Sequence, residues 1–361
     1  MTDSATSLTP APMEGHGVYN RSSRVQAAGL SPAVPLLEQA AKSVPLPAGP
    51  DPVFLVDYGS SEGHNSLGPL ATAIGVLRER LGPERAISVV HTDLPDNDFT
   101  ALFRTLAADP NSYLRGNPEV FTLAVGRSFY EQILPAGSVT LAWSSRAVQW
   151  LSCLPALIPD QVQVAYSRDP AARAAFSEQA AADWRTFLTH RGRELRPGGR
   201  LVVLTMCVDE AGNFGYRPLL EAMYAAILDL VENGLFHVEE ARRMAIPTVG
   251  QSHEDLRAPF AESGCFSGLS IEQMEVFLGE DRIWAQFESD GDVQAFGARW
   301  AAFSRASVFP TLAAGLAGGR DDPRAAMFID RLEADLAARL AAAPERMLIP
   351  LGKMLLVKDG T

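Results

Sequence analysis

Basic residues are in deficit: 31 Lys and Arg stand against 43 Asp and Glu, a formal net charge of -12 at pH 7. Such a chain repels phosphate backbones and anionic lipid unless a local basic patch intervenes, and no run of Lys or Arg supplies one. Nucleic acid and membrane surfaces are therefore not expected partners. Cysteines number three, Cys153, Cys207 and Cys265, an odd count without CxxC spacing. That pattern excludes a disulfide framework and a cysteine-type zinc site, and fits reduced thiols. The six histidines have neither HxH nor HxxxH spacing, so no metal is expected. No apolar run approaches the length of a bilayer span, and the opening MTDSATSLTPAPMEG has no basic segment leading into an apolar one. A cytoplasmic location is the expectation.

What the chain does have is apolar bulk, 47% of its 361 residues, enough for a large core in two or three lobes. Residues 1–12 are small, polar and proline-bearing and read as disordered. The cluster PLPAGPDP then separates an N-terminal arm, 13–50, from the first strong strand, VFLVDYG. After it, Leu67, Leu70, Ala71, Ile74, Leu77 and Leu81 fall at helical spacing, and AISVVHTDLP reads as a second buried strand. Strand, glycine turn, helix, strand is a βαβ unit and implies parallel strands. SVTLAWSS reads as another strand, a helix follows from about Arg173 to Leu195, PGG turns the chain, and RLVVLTMCV is a further strand. Past Cys207 the texture becomes helical, with Leu219, Leu220, Met223, Ile227, Leu230, Val231 and Leu235 on one face and Gly234 near the end. A last helix carries Phe328, Leu332, Leu336 and Leu340, and MLIPLGKMLLVK closes as a strand. The expected organisation is an α/β core over 51–207, a mostly helical cap over 208–318, and a closing helix and strand over 319–361 that complete the core.

The junction VDYGSSEGHN, residues 56–65, lies where an open α/β sheet binds ligands, beyond the carboxyl end of a strand. It is neither GxGxxG nor a P-loop, which argues against a dinucleotide or nucleoside triphosphate. The neighbouring strand ends in HTDLPDNDF, so Asp93 is placed to accept both hydroxyls of a ribose. An acid without phosphate-binding residues suits a nucleoside with a cationic tail, and S-adenosylmethionine is the common one. Asp57, Gly59 and Ser60 would then face its amino-acid and sulfonium end. Each residue also has a plainer reading: an ordinary strand-to-helix turn for the junction, core packing for Trp150 and Phe129, a helix N-cap for Ser128, a cap of the arm for Gln26. Asp183 and Glu194 read as helix surface.

With these residues in hand, the chain resembles the SABATH methyltransferases, the salicylate, benzoate, jasmonate and caffeine-type enzymes best known from plants. The likeness runs from about Met13 to Pro310 and is carried by VYNRSSRVQ, VDYGSSEGHN, HTDLPDNDF, VGRSFYEQILP, WSSRAVQWLS and FLTHRGRELRPGGRLVVLTM, in that order. The resemblance implies a Rossmann-like class I methyltransferase core with a mostly helical cap, S-adenosylmethionine as cofactor and S-adenosylhomocysteine as product. It implies that Tyr19, Ser23, Asp57, Ser60 and Asn65 hold the methionine part, that Asp93 and Leu94 grip the ribose and flank adenine, and that Ser128 and Phe129 bind and pack the adenine. Ser144 of the WSS block joins the cofactor set. Gln26 and Trp150 correspond to the residues that hold the acceptor carboxylate, with Tyr19, Arg146, Gln149, Leu220 and Val249 completing the acceptor pocket.

Departures from the family pattern are Glu14 where a lysine is common, Arg146 where a tyrosine follows the two serines, and Gln149, Leu220 and Val249 where bulkier or aromatic residues are usual. Arg146 is placed to pair with an acidic or carbonyl group of the acceptor. Where some members bind magnesium, Arg242 and Ala245 stand here. The implied activity is methyl-ester formation on a small carboxylic acid. N-methylation of a heterocycle and cofactor binding without turnover remain as alternatives, and the family also implies a homodimer.

Overall fold

The computed structural model describes residues 32–360. After helix α1 (Val34–Ser43), the βαβ unit expected from the sequence is present: β1 (Val53–Tyr58), α2 (Leu67–Leu81) and β2 (Ile87–Asp93). Then come α3 (Phe99–Ala108), β3 (Val120–Gly126), β4 (Val139–Ser145), α4 (Pro170–Glu194) and β5 (Leu195–Met206). Five strands pair in parallel in the order β3-β2-β1-β4-β5. β1 and β4 are buried on both faces, which is why their sequences read as near-continuous apolar runs rather than alternating ones.

The second half supplies α5 (Arg217–Glu232), α6 (Val238–Ala241), α7 (His253–Arg257), β6 (Cys265–Phe266), β7 (Leu269–Leu278), α8 (Arg282–Asp290), α9 (Val293–Ser307), α10 (Phe309–Ala313), α11 (Ala325–Ala342) and β8 (Pro350–Lys358). β8 pairs antiparallel with β5, and β7 with β8, so the full sheet is β3-β2-β1-β4-β5-β8-β7-β6. The segment expected as a mostly helical cap thus also returns a hairpin to the core sheet. Its alternation is weak because β7 is largely half-exposed. α11 turns the other way and packs on the cap. At Gly297 of α9 an added Cβ would lie 2.2 Å from the Ala337 carbonyl, so the two helix backbones touch and only glycine permits it. Trp300, Phe296, Phe328, Leu332 and Leu336 are fully buried in this packing, each side chain contributing roughly 1.5–3 kcal/mol.

Two readings of the sequence need correction. PGG does not turn the chain: β5 starts at Leu195 and runs through it, with an irregular register opposite β4 between Val139 and Leu141. Gly198, at φ +73°, absorbs the irregularity that a turn would otherwise have taken. Asp183 and Glu194 are not helix surface. Both are buried, and α4 is enclosed on several sides by polar partners as well as apolar ones. Among the described residues no helix is long and apolar enough to cross a membrane.

Candidate functional site

Parallel pairing sets the tips of adjacent strands side by side. Tyr58 is in register with Thr92 and with Ser144, and Asp93 with Gly126. The junction after β1 then folds over these tips. Gly59 has φ +87° and its missing Cβ would lie 2.4 Å from Ala147 Cβ, so the loop after β4 can close on it only because it is glycine. The amide N–H groups of Gly59 and Ser60 both donate to the Thr92 carbonyl, at 2.9 and 3.0 Å. Ser61, held in the left-handed region at φ 49°, donates its amide to Asp93 Oδ2 at 2.7 Å, and the Leu94 amide donates to Asp93 Oδ1 at 2.8 Å.

Burial pushes the Asp93 carboxyl up from 3.8 to about 6, the two amides pull it down, and the charge of Asp57 raises it further. Each oxygen spends one lone pair on an amide and keeps another. The pair can therefore accept two more hydrogen bonds, the demand of a vicinal diol. Asn65, in the short turn before α2, has its Oδ1 buried without a partner. An orphaned acceptor at this place suits a ligand that brings an ammonium or hydroxyl donor.

Asp57 is 2% exposed, and its Oδ2 is 3.0 Å from His91 Nδ1. His91 Nε2 is in turn 2.7 Å from the Tyr113 hydroxyl. Burial and the charge of Asp57 keep Tyr113 protonated, so the phenol donates to Nε2 and Nδ1–H donates to the carboxylate. That chain fixes the orientation of Asp57 from below. His91 and Tyr113 carried no mark in sequence beyond strand and loop composition.

At the tip of β3 the Arg127 amide donates to the Asp93 carbonyl at 2.8 Å, bringing Ser128 and Phe129 beside the β2 tip. Ser128 caps a turn rather than a helix, accepting from the Tyr130 amide at 3.2 Å. Phe129 packs edge-to-face on Tyr130 and Phe187. Its carbonyl is held from α4: Arg191 donates to Phe129 O and Glu131 O, each at 2.8 Å, and pairs with Glu194 at 2.9 Å. Glu194 also accepts from Tyr58 Oη and from the amides of Ile133 and Leu134. The acid read from sequence as solvated is thus the anchor of the β3 loop.

Ser144 is fully buried and donates its hydroxyl to the Tyr58 carbonyl at 3.0 Å, locking β4 to β1. The next residue, Ser145, has its hydroxyl buried with no partner. Arg146 follows at φ 52°, its amide donating to the Leu204 carbonyl at 2.7 Å. Arg146 leads into a turn closed by Trp150 N–H to Ala147 O at 3.0 Å, which carries Gln149 and Trp150. The Tyr130 hydroxyl donates to the Trp150 carbonyl at 2.6 Å, joining the β3 loop to this turn.

Trp150, Arg146, Gln149 and Leu220 line one cavity with Met206, Phe214, Tyr216, Met223 and Phe303. Arg146 is its one charged group among the described residues. Val249 is not among the lining residues; it packs against the buried cluster of Leu151, Ile158 and Phe176. The reason is the antiparallel bridge between Trp150 and Thr248: in extended chain neighbouring side chains point to opposite sides, and Thr248 takes the cavity side. Met206, Tyr216 and Phe303 were missed, and nothing in their local sequence distinguishes them from core. Glu14, Tyr19, Ser23 and Gln26 lie outside the described residues.

Residues 7–342 match the family model described as SAM dependent carboxyl methyltransferase. An O-methyltransferase, acrG, of Aspergillus aculeatus is 30% identical over 285 residues, 76% of this chain and 74% of its own length. Gibberellic acid methyltransferase 1 of Arabidopsis thaliana is 28% identical over 313 residues, 80% of this chain and 82% of its own. Among solved structures, a loganic acid methyltransferase with SAH superposes with a TM-score of 0.77 at 22% identity, over 97% of this chain and 99% of that one. At that identity the superposition establishes a shared fold.

Proposed function

The chain belongs to the S-adenosylmethionine-dependent carboxyl methyltransferases, and from that premise we propose how its residues divide the work of esterifying a small carboxylic acid. Bound S-adenosylmethionine supplies a methyl group on a positively charged sulfur. The observation that carries the reading is a strand-tip floor with spare acceptors, Asp93 and Asn65, opening next to an apolar cavity walled by Trp150, Leu220 and Tyr216. Asp93 accepts the two ribose hydroxyls, with Leu94 beside the base. Ser128 and Phe129 receive the adenine on the loop that Arg191 anchors. Asp57, Gly59, Ser60 and Asn65, with Tyr19 and Ser23 of the arm, take the amino-acid end. Ser144 contributes by tying β4 to β1 and setting the height of Ser145.

Gln26 and the Trp150 indole would orient the acceptor carboxylate toward the methyl that bound cofactor would supply, a C–O bond forming as the C–S bond breaks, with the electron pair left on sulfur and no proton moved. A general base is unnecessary because the nucleophile is already an anion. What the protein provides is alignment in a dry cavity, which can supply on the order of 7–11 kcal/mol. Opposite charges disappear on reaching the transition state, so an apolar wall favours it over the charged reactants. The excess of acid over base in the chain favours small-molecule partners over nucleic acid and anionic lipid, and a cytoplasmic homodimer of the kind the family suggests completes the proposal.

The test is product identification. The full chain with methyl-labelled cofactor and a carboxylic acid library yields a base-labile, once-methylated product. Label that survives mild alkaline hydrolysis on a nitrogen overturns the assignment.

A further inference from the structure

The cavity's polar groups divide into those already spent and those that are not. Gln149 donates to the Arg146 carbonyl at 2.5 Å and accepts from Thr205 at 3.3 Å. Gln163 donates to the Thr248 carbonyl at 2.8 Å and accepts from the Ala165 amide at 2.6 Å. Ser304 and Ser307 turn back on their own helix, donating to the Trp300 and Phe303 carbonyls at 3.0 and 2.7 Å. Against these, Arg146 Nε and the Tyr216 hydroxyl are both shielded from water with no hydrogen-bond partner.

The two belong together. The Arg146 guanidinium lies close enough to the Tyr216 phenol to act on it by its charge and by a weak hydrogen-bonding contact, one that falls short of full hydrogen-bond geometry and leaves both groups able to take a stronger partner. Burial raises the Tyr216 pKa, so the phenol stays a donor. Asp281, the acid whose charge also reaches Tyr216, is committed to the Trp284 and Met347 amides at 2.9 Å each. No acid of the described residues pairs with Arg146. A buried arginine N–H and a buried phenol left unmade are costly. They are also held in place: Arg146 keeps a left-handed backbone that arginine rarely adopts, fixed by its amide bond to Leu204 O.

We infer that Arg146 and Tyr216 form a clamp for a second carboxylate of the acceptor, one that keeps its charge while the other is esterified, so that the preferred substrate is a dicarboxylic acid. The inference rests on the carboxyl-methyltransfer reading above. The clamp does not suit the reacting carboxylate. That group loses its charge as the methyl arrives, so an arginine fork on it would bind the ground state more tightly than the transition state and slow the step. A carboxylate that remains an anion throughout is held equally in both states. It can anchor the acceptor in an otherwise apolar cavity at no cost to the chemical step.

The experiment uses the full chain, S-adenosylmethionine and matched pairs of a straight-chain monoacid and the α,ω-diacid of equal length, across a length series. The expected result is a diacid with kcat/KM roughly ten- to a hundredfold above its monoacid partner. In Arg146→Asn, whose asparagine tolerates the left-handed backbone, that ratio collapses toward one, and in Tyr216→Phe it falls severalfold. Calorimetric titration with S-adenosylhomocysteine confirms that each variant folds. Should Arg146→Asn not fold, Arg146→Lys, which keeps a charge but not the planar fork, is expected to lower the ratio without erasing it. Monoacids esterified as well as diacids at every length, or a ratio unmoved in Arg146→Asn, overturns the clamp and leaves the carboxyl-methyltransfer reading standing. Equal loss on both acids in Arg146→Asn also overturns it, by assigning the arginine to the reacting group. No base-labile methyl ester from any acid removes the underlying reading, and the clamp with it.

Discussion

The floor at the tips of β1, β2 and β3 and the cavity under α5 and α9 are built on opposite principles. On the floor the polar groups are mostly fixed by short hydrogen bonds: Asp93 by two amides, Thr92 O by two more, Asp57 by the His91 ring, the β3 loop by the Arg191 side chain. Its vacancies are lone pairs on atoms whose positions are already fixed. The cavity instead is walled by side chains from six stretches of the chain, with apolar surface as its main content and a single cation among the described residues. On the proposed reading, one region is a rigid reader of an invariant ligand and the other a wall whose composition can be exchanged without disturbing the sheet, so that acceptors could change while the cofactor is kept.

The sharpest break of that comparison comes at Asp93. Asp93→Asn keeps the shape but replaces the anion and turns one acceptor into a donor. With charge-assisted bonds contributing about 1.5–3 kcal/mol each, two of them correspond to a loss of a hundredfold or more in S-adenosylhomocysteine affinity by calorimetry. A loss under tenfold would move the ribose elsewhere. The same carboxyl makes affinity depend on pH. Held near 6 rather than 3.8, it must be ionised to accept both hydroxyls, so affinity drops as pH falls through 6, approaching about tenfold per unit. Stability of the ligand-free protein moves the other way. Its folded-state carboxyl takes up a proton before the unfolded chain does, so from pH 6 toward 4 this group's contribution to stability grows on acidification. Asp93→Asn should flatten both dependences.

The floor's rigidity is set one layer down, at Arg191. Arg191→Met strands Glu194, which is fully buried, and removes the donors on the Phe129 and Glu131 carbonyls. Breaking one side of a buried pair costs about 3–5 kcal/mol, read as a lowered midpoint in denaturant unfolding. Arg191→Met with Glu194→Gln together should recover part of it. Cavity variants such as Phe303→Leu should stay well short of that cost, and equal costs in both regions would dissolve the contrast.

How far each region could be read from sequence follows from the same difference. Candidate floor residues sit at the ends of strands whose apolar runs are easy to see, so Asp57, Gly59, Ser60 and Asp93 stand out by position, while Asn65 was picked out only by the family resemblance. β3 was passed over because it is an edge strand, with Phe121 and Leu123 about half exposed, and its residues lack the continuous burial of β1 and β4. α4 misled for another reason. Its buried charges Asp183, Arg191 and Glu194 interrupt the apolar periodicity that marks a packed helix. The cavity wall was least legible, because whether Met206, Tyr216 or Phe303 faces a ligand or the core depends on how remote helices dock.

The smallest expected effect tests the finest point of that wall, the choice between Thr248 and Val249. Adjacent residues of an extended segment cannot both face one cavity, and the bridge to Trp150 commits Thr248 to it. Val249 donates its amide to the Gln149 carbonyl at 2.9 Å and sends its side chain toward Leu151 and Ile158. Thr248→Val should therefore shift the acceptor KM severalfold with little change in melting temperature. Val249→Ala should do the reverse, costing about 1 kcal/mol of stability and moving KM less than about twofold, within the scatter expected for a contact removed from the site. Acceptor kinetics paired with thermal unfolding on the two variants decides it. A KM shift larger for Val249→Ala than for Thr248→Val means the strand is turned over by one residue, and the cavity would then present valine rather than a hydroxyl to whatever lies against Trp150.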